Sequence, residues 1–102
     1  MPVFKIRDND RKLHEITGSV SGLFGIHHNG FSTYPWTVWH IPSGYAVVRN
    51  INTVSTAYAI IRELKKAPFS WKSRRYTDYS RSKSRLKWWR ANRERLEQLA
   101  KG

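Results

Sequence analysis

The sequence predicts an α+β fold, in which a small antiparallel sheet of about three strands is packed by a helix and followed by a basic arm and a C-terminal amphipathic helix. Three observations carry that expectation. Two β-rich runs, Trp36-Thr37-Val38-Trp39-His40-Ile41 and Tyr45-Ala46-Val47-Val48-Arg49, flank a Pro42-Ser43-Gly44 turn. Between Thr53 and Pro68, the residues Ala57, Ile60, Ile61 and Leu64 recur at helical spacing. Beyond residue 81 helix formers dominate, and Leu86, Trp89, Leu96 and Ala100 share one arc. The chain has 102 residues, 39% hydrophobic and 14% aromatic, which suits one domain with one modest core and no deep interlobar cleft. Its parts are a sheet-plus-helix scaffold (residues 1–68), a basic aromatic arm (69–84) and the C-terminal helix (85–100).

Residues 3–7 suit a short strand ending at the turn formers Asp8-Asn9-Asp10. Residues 11–17 fit a returning strand, the preferred reading, or one helical turn. Gly18, Gly22 and Gly25 punctuate the stretch around Leu23-Phe24-Gly25-Ile26-His27, and Asn29-Gly30 marks a turn or loop. The next two strands form a hairpin, because proline presets its backbone angle and glycine permits the positive one that a tight turn needs. Thr53 caps the first helix, Lys65 and Lys66 complement its negative end, and Pro68 stops it. Residues 71–84 lack periodicity and read as a loop or arm, disorder-prone from 72 onward. No internal repeat is visible.

Charge divides the chain. It holds 19 lysines and arginines against 7 acids, a net of +12. Residues 69–102 contribute 11 bases and 3 acids, whereas residues 1–68 contribute 8 and 4, so two thirds of the excess lies in the last third. An isoelectric point near 10.6 calls for an acidic partner: nucleic acid, anionic lipid or an acidic protein surface. Cysteine is absent, which excludes disulfides, thiol nucleophiles and thiolate metal sites. The start has no signal-peptide core and no apolar run approaches the roughly 20 residues that span a bilayer, so a soluble, cytoplasmic protein is expected, in the host cytoplasm if phage-encoded.

The tail interleaves cations with rings. Lysine and arginine gain free energy at phosphates by releasing counterions, and flat rings stack on exposed bases. The expected nucleic-acid-binding residues are Arg49, Lys72, Arg74, Arg75, Tyr76, Arg81, Lys83, Arg85, Lys87, Trp88 and Arg95. Residues 81–93 hold no acid, unlike an ordinary solvated helix face that mixes signs for pairing. Base-edge contacts would come from Arg49, Asn50, Asn52 or the arm arginines. On an ideal helix Trp89 lies inside the apolar arc and Trp88 at its margin, which predicts a core Trp89 and a semi-exposed Trp88. The alternative is that both rings pack on the sheet and the charges merely solvate the helix.

No catalytic, metal or cofactor site is expected. Of His14, His27, His28 and His40, either His27 or His28 could face His40 across the hairpin, but no carboxylate or cysteine stands nearby to complete a set. The turn explains His40 and Ser43 without a catalytic role, since no acid stands ready to orient the imidazole. Trp36 and Trp39 point to opposite faces of their strand, and even spacing puts Tyr45 and Arg49 on one face.

The words Phe24-Gly25-Ile26, Trp36-Thr37-Val38 and Ser43-Gly44-Tyr45 before an alanine-bearing helix resemble, over roughly residues 23–64, the AP2 and phage-integrase arm-binding domains. The resemblance implies a sheet laid into a DNA groove and backed by the helix, with Thr37, Trp39 and Arg49 at the nucleic acid. In this chain the charge instead follows the helix. The leading expectation is therefore a small basic protein that binds DNA or RNA through its C-terminal arm and helix. The alternative is a small phage-type inhibitor or interaction protein that binds an acidic or nucleic-acid-binding surface of a host protein; an RNA-scaffold role is a third. Membrane binding is not expected, because the apolar face of the last helix is narrow and contains Arg93.

Overall fold

The computed structural model describes residues 2–8, 10–30 and 33–102. Strands β1 (Val3–Arg7) and β2 (Leu13–Thr17) pair as an antiparallel hairpin with Phe4 opposite Ile16. At the hairpin turn the Asp8 carboxylate accepts backbone N–H bonds from Asp10 and Lys12, and Arg11 takes a left-handed conformation at φ 64°. Asn9, the middle of the predicted turn, lies outside the described residues. A separate antiparallel sheet runs β3 (Ser19–Ser21), β4 (Phe24–His28), β5 (Trp36–His40), β6 (Tyr45–Ile51), with each strand beside its neighbour in the chain. The fold is α+β, and the main sheet has four strands where the sequence suggested about three. The added strand is the short polar Ser-Val-Ser, joined to β4 by a turn through Gly22 at φ 60°.

One face of the four-stranded sheet carries the core. Phe24, Ile26, Val38, Val48 and Ile51 meet helix α1 (Val54–Lys65), which buries Ala57, Ile60, Ile61 and Leu64, the four residues its periodicity singled out. Each of the buried isoleucine and leucine side chains contributes about 1.5–3 kcal/mol. The Thr53 hydroxyl accepts the Thr56 N–H at 3.1 Å, supplying the predicted cap. Helix α3 (Lys83–Lys101) completes the layer with Leu96 and Ala100, and the Ala100 carbonyl accepts the Asn52 N–H at 2.7 Å.

The other face is covered by the β1–β2 hairpin. Cross-strand partners share a face, so Gly25 and Trp39 lie side by side. The Phe4 ring sits on Gly25 so closely that a Cβ there would fall 2.6 Å from its Cζ. The Arg7 backbone N–H donates to the Gly44 carbonyl at 2.7 Å and its Nε to the Ser43 carbonyl at 3.1 Å, fastening the hairpin to the β5–β6 turn. Thr37 and Trp39, expected to face a nucleic acid, are consequently 1% and 9% exposed. Thr37 instead accepts a hydrogen bond from the Asn29 side-chain amide at 2.6 Å. That arrangement removes both from any groove-reading role.

The β5–β6 register slips between Trp36 and Val38 and again between Val38 and Trp39, and Asn50 adopts φ 57°. Bulges of this kind break the two-residue alternation. Tyr45 pairs with His40, whereas Arg49 lies over the Trp39 ring at 5.9 Å, so the two do not share a face as even spacing implied.

Candidate functional site

The tail folds back onto the sheet rather than leaving it. Residues 76–80, predicted as loop, form a short helix, α2 (Tyr76–Ser80), and α3 begins at Lys83, where the Ser82 hydroxyl caps it. The return is made by Trp71. Its indole Nε1 donates to the Leu64 carbonyl at the end of α1 (2.8 Å), and its own carbonyl accepts from His40 Nε2 at 2.5 Å. A carbonyl only accepts, so Nε2 carries the imidazole proton and Nδ1 accepts from the Ser43 hydroxyl at 2.7 Å. Ser43 Oγ in turn accepts the Tyr45 N–H. Burial holds the His40 pKa below its ordinary 6.5, opposed by the bond to Trp71. His40 and Ser43, which the sequence assigned only to a turn, are thus a neutral, 3%-exposed pair with their hydrogen-bonding groups engaged inside the protein.

Around this pair the tail's rings turn inward. Trp71 stacks on Tyr79 at 5.5 Å and 21° and meets Phe24 edge-on at 5.3 Å, with Phe69 at 4.8 Å and Trp88 at 6.3 Å. Arg85 lies over the faces of Tyr79 (4.9 Å) and Phe69 (5.6 Å) while its Nη1 donates to the Asp78 carbonyl at 2.9 Å. The Tyr79 hydroxyl donates to the Ser73 carbonyl, and burial raises its pKa. Between this cluster, the start of β6 and the first turns of α3 lies a cavity of about 190 Å³ with Tyr45, Tyr76, Ser80, Leu86 and Trp89 in its walls and Arg85 beside them. A second groove of about 470 Å³ runs between β6 and α3, bordered by Arg49, Asn50, Arg93, Glu97 and Lys101.

The predicted site residues divide into three sets. Tyr76 and Arg85 border the 190 Å³ cavity, Tyr76 meeting Tyr45 at 4.7 Å with the rings tilted by 42°, and Trp88 reaches the same cluster through Phe69. Lys72, Arg74, Arg75, Arg81, Lys83 and Lys87 are exposed and form no ion pair among the described residues. Lys83 and Lys87, with Arg90, follow i, i+4, i+7 spacing and make one exposed face of α3. Arg49 and Arg95 stand apart. Arg49 rests on Trp39, and Arg95 pairs with Glu63, whose pKa is pulled down by hydrogen bonds from Lys66 and Arg95.

Trp88 and Trp89 are both half-buried against the core, so the expected contrast of core Trp89 with semi-exposed Trp88 does not appear. The rings that matter most here, Phe69, Trp71 and Tyr79, were absent from the predicted set; their density after Pro68 was the available signal. The histidines are dispersed: His27 and His28 pair with Thr37 and Trp36 while Phe24 stands opposite His40, and His14 bonds Asp8, lowering its pKa. No helix among the described residues is long and apolar enough to cross a membrane. Compared with protein-family models, curated proteins and solved structures, the chain matches none.

Proposed function

We propose that this is a small nucleic-acid-binding protein in which the first half of α3 and the preceding arm contact phosphates while neighbouring rings meet bases. The observation that carries this reading is the row of exposed cations without ion pairs, Lys83, Lys87 and Arg90 with Arg81, Arg74 and Arg75, beside an aromatic cavity. An ordinary surface helix offsets such charge with acids, and α3 does so only in its second half, through Glu94 and Glu97. A binder rather than an enzyme is the reading proposed, and it is supported by the His40–Ser43 pair being committed to its turn and to Trp71. A reducing, nucleic-acid-containing compartment such as the cytoplasm suits a cysteine-free chain of this charge.

A salt titration tests the proposal. Affinity for DNA or RNA should fall steeply with salt, with a log-log slope implying at least roughly four neutralised phosphates. Replacing Lys83, Lys87 and Arg90 together by glutamate should abolish most binding. Salt-independent affinity, or recovery of one stoichiometric protein partner after nuclease treatment in place of nucleic acid, would overturn the reading in favour of a protein-directed inhibitor.

A further inference from the structure

We infer that the 190 Å³ cavity between the start of β6, α2 and the first turns of α3 receives one unstacked base of a single-stranded nucleic acid, with Arg85 meeting a flanking phosphate. The inference rests on the nucleic-acid reading above and adds where, and in what strand form, the ligand is held.

Size sets the first limit. A cavity of roughly 150 Å³ is enough to hold a benzene ring, so about 190 Å³ accepts one planar ring system and not a stacked pair. The walls set the second. Tyr45, Tyr76 and Trp89 offer aromatic surface and Leu86 an aliphatic one, which favours a flat, polarisable ligand. The polar groups set the third. His40 and Ser43 spend their hydrogen bonds on each other, Trp71 and Tyr45, which leaves the hydroxyls of Ser80, Tyr45 and Tyr76 without a hydrogen bond among the described residues. Recognition that rests mainly on stacking is tolerant of base identity.

Charge completes the argument. Arg85 Nη1 is held by the Asp78 carbonyl, which aims the guanidinium while leaving its other nitrogens to an anion. Arg81 and Lys83 stand exposed just ahead of it in the chain. An apolar ligand would have no use for these cations, whereas a nucleotide brings a ring and a phosphate at once. A duplex keeps its bases stacked and would pay a few kcal/mol to release one, so the cavity selects single strands.

The test compares three probes of about ten nucleotides: oligothymidylate, a strand of abasic deoxyribose phosphates with the same charge, and a duplex. The base-bearing strand should bind about ten-fold tighter than the abasic one, a typical stacking contribution, and tighter than the duplex. Tyr76→Ala, which removes an exposed wall, and Ser80→Phe, which fills the cavity, should each cancel that preference, bringing the affinity of the base-bearing strand down to that of the abasic one; circular dichroism identifies which variants are folded, and either one alone decides. Equal, steeply salt-dependent binding of the base-bearing and abasic strands, or a preference that survives these substitutions, overturns the base pocket and leaves the phosphate-binding reading standing. Failure to bind any probe overturns both.

Discussion

Helices α1 and α3 lie on the same face of the same sheet and are held in opposite ways. Over 12 residues α1 buries four aliphatic side chains, and its surface charges are incidental to that stripe. Over 19 residues α3 buries two, Leu96 and Ala100, both in its second half. Its first half rests on half-buried Leu86, Trp88 and Trp89 and on a seam of rings supplied by residues 69–80, over which its own Arg85 lies. A fully buried stripe has one purpose, whereas a helix anchored at its far end and cushioned by rings at its near end leaves a charged face free to act. The difference teaches that charge in the tail and aromatic density in the tail are two sides of one arrangement, cations outward and rings inward.

Leu64→Ala and Leu96→Ala break the comparison most directly. Both side chains are fully buried, so each loss should cost about 2–5 kcal/mol in urea unfolding. A loss below 1 kcal/mol at Leu96 would mean that α3 is not anchored at its second half. Next come the paired rings. Trp88→Ala and Trp89→Ala should cost similar amounts, about half the ~3–5 kcal/mol of a fully buried ring, and a several-fold difference between them would restore the core-and-rim contrast of the helical wheel.

The smallest effect concerns His40. Its folded-state pKa lies below the ordinary 6.5, so below that pH the unfolded chain takes up a proton that the folded protein refuses. The associated stability is present above pH 6.5 and is lost as pH falls through the folded value. Denaturation midpoints should therefore drop from pH 7 to pH 5 in the native protein, and less in His40→Gln. An equal drop in both would remove His40 as the source.

What was legible in the sequence was whatever local chemistry dictates. Thr53, the 57–60–61–64 stripe and the stop at Pro68 describe α1 because capping and periodicity act within a few residues. The Pro42-Ser43-Gly44 turn likewise announces the β5–β6 hairpin. Illegible features depend on distant partners. Ser19–Ser21 is too short and polar to declare itself, and becomes a strand only against Phe24–His28. Thr37 and Trp39 are buried because Phe4, more than thirty residues earlier, holds a hairpin over Gly25. Arg49 lost its expected face to bulges that no alternation rule anticipates. In the candidate site the cations were visible as composition, but the cavity exists only because Trp71 bridges Leu64 and His40.

The strand order of the main sheet also bears on how the molecule assembles in time. Every pairing in β3-β4-β5-β6 joins consecutive strands, so each closes a short loop at low entropic cost. Short closures of this kind make the sheet the expected nucleus, whereas α3 returns from the end of the chain to place Leu96 and Ala100. Interactions made late of this kind slow unfolding more than they speed folding. The tail is thus the latch of the fold, setting how long the native state lasts once the sheet has formed.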